Sequence, residues 1–168
     1  MKINGLFVCV ALALMLACAG CATSPEDQER ARATAEEVES ILSQPLDASE
    51  YGQTKRCLAG SEYQDFRVLD DQRILFAGRR GKLWLNTLRM RCPDLRFATV
   101  LRVKSIYSYG RICDMDSFQP GDWFDWPWYR RWPWSWGNRW GTGMTCSLGK
   151  FQPVTETQVE ALEAALKR

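Results

Sequence analysis

The chain has 168 residues, with 22 Lys and Arg against 20 Asp and Glu, and a net charge of +2 with both signs scattered. That balance leaves no electrostatic footprint for a nucleic-acid backbone, so no nucleic-acid partner is expected. The chain has no histidine, which removes the commonest general base and metal ligand; no metal site and no cofactor are expected.

Lys2 is the only charge ahead of an unbroken apolar run from Leu6 to Ala19. At fourteen residues the run is shorter than the roughly 20 needed to span a bilayer, and it fits the hydrophobic region of a secretory signal peptide, assigned to residues 1–20. Its end, Leu16-Ala17-Cys18-Ala19-Gly20-Cys21, resembles the lipobox of bacterial lipoproteins, with Cys18 where leucine is usual. The resemblance implies cleavage before Cys21 and lipidation of its thiol, with Cys18 as the alternative site. Acyl chains such as palmitate would then hold the protein to the membrane, each buried methylene adding about 0.8 kcal/mol. Ala22 is not the Asp that retains lipoproteins at the inner membrane, so the resemblance further implies the periplasmic face of the outer membrane.

There are seven cysteines. Cys9 and Cys18 leave with the signal and Cys21 carries lipid, so Cys57, Cys92, Cys113 and Cys146 remain. An even number in an exported domain reads as two disulfides. The absence of any CxxC spacing and of histidine argues against zinc.

Residues 21–50 read as anchor, tether and helix. Ser24-Pro25-Glu26-Asp27 opens the helix with a cap, a first-turn proline and a capping-box acid, and Pro45 stops it. Ala31, Ala35, Val38 and Leu42 make a narrow, alanine-rich stripe beside Ile41, which suits a semi-rigid spacer that packs weakly. Residues 44–62 look irregular.

Residues 51–168 read as a disulfide-stapled β domain. Phe66 and Val68 alternate with Asp65 and Arg67; Ile74 and Phe76 share one face of the next segment, and Leu83 and Leu85 one face of its partner. Asp70-Asp71-Gln72 and Gly78-Arg79-Arg80-Gly81 mark the turns between them. A long strand is expected over 97–107, with Phe97, Thr99, Leu101 and Val103 facing one way and Arg102 and Lys104 the other, followed by a turn at Ser108-Tyr109-Gly110. Arg111–Phe118 and Thr145–Phe151 complete the set. The period of two implies one buried and one wet face. Val154-Thr155-Glu156-Thr157-Gln158-Val159 opens a final helix with a Thr155 cap, a Gln158 capping box and Val159, Leu162 and Leu166 on one face; it is expected to pack over an open end of the sheet. The fold class is mainly β: a small antiparallel barrel or rolled sheet of about six strands, with an N-terminal spacer helix and a C-terminal packing helix.

The motifs Cys57-Leu58, Val68-Leu69-Asp70-Asp71 with Ile74-Leu75-Phe76, Asn86-Thr87-Leu88 before Arg91-Cys92-Pro93-Asp94-Leu95, Gly110-Arg111-Ile112-Cys113 and Cys146-Ser147-Leu148-Gly149-Lys150-Phe151 follow the pattern of a family of small exported proteobacterial proteins, a domain of unknown function. The chain resembles this family over about residues 57–153. The likeness implies no activity, substrate or catalytic residue, and the chain departs from the pattern at an insertion, 119–144.

In an up-and-down meander, Cys57 and Cys113 would lie at one end of the strands and Cys92 and Cys146 at the other. A six-residue strand is about 20 Å long and bridged Cα atoms lie about 5.5 Å apart, so a meander requires Cys57–Cys113 and Cys92–Cys146. A non-meander order allows the sequential pairs Cys57–Cys92 and Cys113–Cys146.

No GxSxG, HExxH, Walker A or GxGxxG motif is present. Asp114 and Asp116 fall two apart on an expected strand, which would put both on one face, either as a solvated pair or as two carboxylates for cation binding or glycoside hydrolysis. Asp70-Asp71 reads as turn chemistry. The unusual stretch is 120–143, which holds seven of the eight tryptophans: Trp123, Trp126, Trp128, Trp132, Trp134, Trp136 and Trp140, with Arg130, Arg131 and Arg139. Its prolines and glycines forbid a regular helix or central strand, and so dense a tryptophan set makes a contact loop for membrane, partner protein or glycan. The reading is therefore a cell-envelope lipoprotein, not an enzyme, that binds or scaffolds through this loop. The alternative is a carboxylate-dependent hydrolase or binder of envelope glycans.

Overall fold

The structure, a computed structural model, describes residues 24–105, 110–121 and 144–167, and the chain divides into two compact units, Met1–Glu39 and Ser40–Arg168. Helix α1 (Pro25–Leu42) begins in the first unit. Ser24 Oγ accepts the Asp27 backbone N–H at 3.1 Å and donates to Asp27 Oδ2 at 2.7 Å, so the cap and its acid close on each other. Ala31 and Ala35 are exposed and Val38 is the one buried residue of α1. The last turn belongs to the second unit, where two carbonyls orphaned by the helix end find side-chain donors. Ile41 O accepts from Gln158 Nε2 and Leu42 O from Gln152 Nε2, each at 3.0 Å. Among the described residues no helix is long and apolar enough to cross a membrane.

The second unit holds nine described strands: β1 (Cys57–Ala59), β2 (Asp65–Val68), β3 (Arg73–Ala77), β4 (Leu83–Thr87), β5 (Val100–Lys104), β6 (Arg111–Cys113), β7 (Ser117–Gly121), β8 (Cys146–Ser147) and β9 (Phe151–Val154), followed by helix α2 (Glu156–Leu166). All pairings are antiparallel and form three sheets, β1-β6, β2-β3-β4-β9 and β5-β7-β8. Lys55 bridges Phe151 on the free edge of β9, through Lys55 N–H to Phe151 O at 2.8 Å and Phe151 N–H to Lys55 O at 2.9 Å. The four-stranded sheet thus runs on into the segment that becomes β1. The strands roll around one core without closing into a barrel among the described residues.

The hairpins β2-β3-β4 alternate with a period of two, but in β4 it is Trp84 and Asn86, not Leu83 and Leu85, that share the face of Ile74 and Phe76. Phe66 pairs with Phe76 and Phe76 with Trp84, and Phe151 lies opposite Asn86, so these side chains share the inner face. There they pack with Leu58, Leu95, Ile112 and Phe118. Phe76 meets Tyr63 and Phe151 edge to face, with ring centroids 5.6 and 5.5 Å apart, the geometry aromatic quadrupoles favour.

Five local expectations are corrected. The region 44–62 is not wholly irregular, because Cys57–Ala59 pairs with β6 far along the chain. The strand expected from 97 starts only at Val100: Pro93 begins a 3-10 turn that runs through Phe97, so Leu95 is buried while Phe97 is 82% exposed. Arg111–Phe118 is two strands, because Met115 adopts φ 75° and breaks the pleat. Thr145–Phe151 is likewise divided, with Gly149 between β8 and β9. The outer face of β3-β4 is not wet: Leu75 and Leu85, opposite each other in register, are buried, and Arg67 on that face pairs with Glu163 of α2 at 2.9 Å. Helix α2 therefore covers a face, and its buried residues Val159, Leu162 and Ala165 supply the apolar side.

Candidate functional site

The lipobox cysteines Cys18 and Cys21, and Trp123, Trp126, Trp128, Arg130, Arg131, Trp132, Trp134, Trp136, Arg139 and Trp140, lie outside the described residues, as do Ile106–Tyr109, where a strand end and turn were expected. The attachment of the Trp-rich stretch is described: β7 and β8 are antiparallel neighbours with Phe118 opposite Cys146, and Gln119 Nε2 reaches Thr145 Oγ1 at 3.4 Å. The stretch therefore connects two adjacent strands, but it begins later than expected: Gln119, Pro120 and Gly121 still belong to β7, the middle strand of its sheet, pairing with β5 beyond the point where β8 stops, so Pro120 needs no partner on that side.

Disulfides join Cys57 to Cys113 and Cys92 to Cys146. The geometry that produces these pairs is not the meander from which they were inferred. Cys57 and Cys113 are direct partners across β1-β6, whereas Cys92 N–H donates to Asp71 O at 2.7 Å just before the 3-10 turn and Cys146 opens β8. Loops of 56 and 54 residues are closed by the two bridges.

The acidic candidates are built into the fold. Asp114 and Asp116 are 9% and 6% exposed, which overturns the solvated strand face. Asp114 accepts from Arg56 Nε through both oxygens at 3.2 and 3.1 Å. Asp116 Oδ2 accepts the Cys113 backbone N–H at 2.8 Å and closes the turn that Met115 makes. Asp70 Oδ1 accepts the Gln72 N–H at 2.8 Å and its other oxygen pairs with Arg73, the turn chemistry expected there. Asp71 takes Arg91 and Arg96, each at 3.4 Å. Among the described residues no group of three or more Cys, Asp or Glu is placed to hold a metal ion.

The cavity with the most distinctive lining was read only as a turn in the sequence. A groove of about 330 Å³ opens at the β3-β4 hairpin and is lined by Tyr51, Lys55, Glu62, Arg79, Arg80, Lys82 and Trp84, among others. Each comes from a different local device. Tyr51 N–H closes a turn onto Asp47 O at 2.9 Å, and Gly52 takes the left-handed value φ 87° beside the Trp84 ring. Glu62 N–H bonds Ala59 O at 2.8 Å, and its Oε2 accepts the Ala59 N–H at 2.9 Å. The hairpin tip is a tight turn over Arg79–Gly81 in which Arg80 takes the left-handed values φ 61°, ψ 34° and Gly81 follows it at φ 71°. The Lys55 ammonium sits 4.8 Å from the centroid of the Trp84 ring and is paired with Glu62. The bond from Lys55, with help from the Ala59 N–H, holds the Glu62 carboxyl below its ordinary value. Glu50 beside Tyr51 raises the phenol, which stays protonated at neutral pH. A second groove of about 350 Å³ lies at the other end of β4, lined by Thr54, Thr87, Arg89, Gly149, Lys150 and Gln152.

These features define a small, disulfide-stapled antiparallel β module of an oxidising, extracytoplasmic compartment. The chain belongs to a family of unknown function, DUF6491, whose pattern matches residues 4–124. The match opens just ahead of the N-terminal apolar run and ends at the start of the Trp-rich stretch, so it reaches further upstream than the motif likeness at 57–153 and leaves Cys146–Phe151 outside. No curated protein and no solved structure matches the chain.

Proposed function

We propose that this protein is a cell-envelope lipoprotein, anchored through Cys21 or alternatively Cys18 to the periplasmic face of the outer membrane, that binds or scaffolds and does not catalyse. The Trp-rich stretch is its contact with membrane or partner, because indole rings favour the membrane interface whatever the local charge. The observation that carries the non-catalytic reading is the engagement of Asp114 by Arg56 and of Asp116 by the Cys113 N–H. A glycoside hydrolase needs two carboxyls about 5–10 Å apart in a cleft, free to exchange protons and meet substrate; these two are buried and hold the β6-β7 junction. The second reading, a hydrolase or binder of envelope glycans, draws its support from the tryptophans alone.

The test is tryptophan fluorescence of the Cys21→Ser chain with lipid vesicles, compared with the same chain lacking residues 120–143. A blue shift quenched by brominated lipid, lost in the deletion, is the expected result. No shift and no quenching would remove lipid contact and leave a protein or glycan partner. Release of reducing ends from envelope glycans by the purified chain would replace binding with hydrolysis.

A further inference from the structure

We propose that the groove at the β3-β4 hairpin is a binding site for a phosphate-bearing ligand, a role separate from the lipid anchor and from the Trp-rich stretch. Four cations line it against one carboxylate. Lys55 is already neutralised by Glu62 and fixed over Trp84. Arg79, Arg80 and Lys82, all exposed, have no carboxylate partner among the described residues. Elsewhere in the same unit the guanidinium groups of Arg56, Arg67, Arg73, Arg91 and Arg96 each meet a carboxylate. Arg89, Arg111 and Lys150 also lack a carboxylate partner among the described residues, but at the hairpin three such cations fall within four consecutive residues of one tight turn, where they repel each other until an anion arrives.

The backbone points the same way. Gly81 follows Arg80 in the left-handed region at φ 71°, yet the first left-handed position carries an arginine at φ 61° where glycine or asparagine would sit without strain. Strain of this kind, held at the mouth of a groove, is what a side chain kept for its chemistry looks like.

The charge count selects the ligand. A phosphate monoester carries about −1.5 to −2 at neutral pH and three acceptor oxygens, and guanidinium forks match it bidentately. A lone carboxylate offers one charge and two oxygens, and would leave most of the unpaired cations uncompensated. The Tyr51 phenol, half-buried and protonated, adds a neutral donor at the rim. The groove's 330 Å³ sits at the small end of ligand pockets, enough for a phosphate and its ester substituent. A soluble phosphate ester and a phospholipid headgroup share this chemistry.

The full chain, in nonionic micelles, is titrated calorimetrically with glycerol 3-phosphate, with micelles doped with phosphatidic acid, and with acetate. Saturable binding of glycerol 3-phosphate assigns a soluble ester. Binding only to doped micelles assigns a headgroup. In either case Arg79→Gln with Arg80→Gln is expected to weaken binding at least ten-fold, and Arg80→Gly alone, which relieves the backbone, to weaken it while raising the denaturation midpoint. Arg89→Gln and Lys150→Gln in the other groove are expected to leave it unchanged. Absence of binding to both phosphate probes, equal binding of acetate, or equal losses in the Arg89 and Lys150 variants would overturn the proposal.

Discussion

At the scale of single residues, Asn86 and Gly149 carry an unusual share of the fold. Asn86 is fully buried, and its side chain donates to Gly149 O at 2.7 Å and accepts the Gly149 N–H at 2.9 Å. A Cβ on Gly149 would collide with the Thr87 carbonyl, so only glycine lets this loop lie against the end of β4. Asn86→Ala leaves both Gly149 backbone groups buried without partners and is expected to cost about 3 kcal/mol in urea unfolding. Both residues stand in motifs that carry the family likeness, Asn86-Thr87-Leu88 and Cys146–Phe151, but nothing local announces the bond between them. Glu62 has a pH signature. Its folded pKa lies below its ordinary value of 4.5, so its stabilising contribution is complete above that value and fades as pH falls through the lower folded one. Wild type is expected to lose stability more steeply than Glu62→Gln between about pH 5 and pH 3, read as denaturation midpoints across that range. Parallel curves would show that the Lys55 pair contributes nothing measurable, the usual outcome for exposed ion pairs.

At the scale of elements, the disulfides and the second helix act where the strands are shortest. β1 and β6 have three residues each, fewer than an isolated ribbon needs to persist, and the Cys57–Cys113 bridge lies directly across their register. Closing a loop of this length restricts the unfolded chain by about 4 kcal/mol in the chain-entropy description. Cys57→Ser with Cys113→Ser is expected to cost about that much, measured by guanidinium unfolding, while the β2-β3-β4 hairpins keep their strand signal in circular dichroism. Helix α2 shows how much element chemistry was visible beforehand. Thr155 Oγ1 accepts the Gln158 N–H at 3.1 Å and Gln158 Oε1 accepts the Thr155 N–H at 3.0 Å, the reciprocal box read from the sequence. The second use of Gln158, donating to Ile41 O across 117 positions, has no local signature. Phe97 is the opposite case. The alternation from 97 to 103 looked continuous, but proline at 93 starts a turn whose last residue is Phe97, and its ring is turned out to solvent.

At the scale of the whole molecule, two disulfides among short strands fit an exported domain with a modest core. The anchoring reading is tested apart from the fold. Cys21→Ser is expected to abolish metabolic fatty-acid labelling, because serine has no acceptor thiol; undiminished labelling would transfer the site to Cys18, and no labelling of the unaltered chain would remove lipidation altogether.

Features that depend on neighbours a few positions apart were legible before any fold was known. The two helices with their caps, the β2-β3-β4 hairpins with their turns, and the even cysteine set follow from the periods of 3.6 and two, from turn-forming residues, and from redox chemistry. Features that depend on distant partners emerged with the fold. The pairing of β1 with β6, the Lys55–Phe151 bridge, the burial of Asp114 and Asp116, and the gathering of Tyr51, Lys55, Glu62 and the hairpin cations into one groove all join segments tens of residues apart. Such contacts form because the chain must cover apolar surface and satisfy backbone groups globally, and a three-residue strand carries too little pattern to announce its partner.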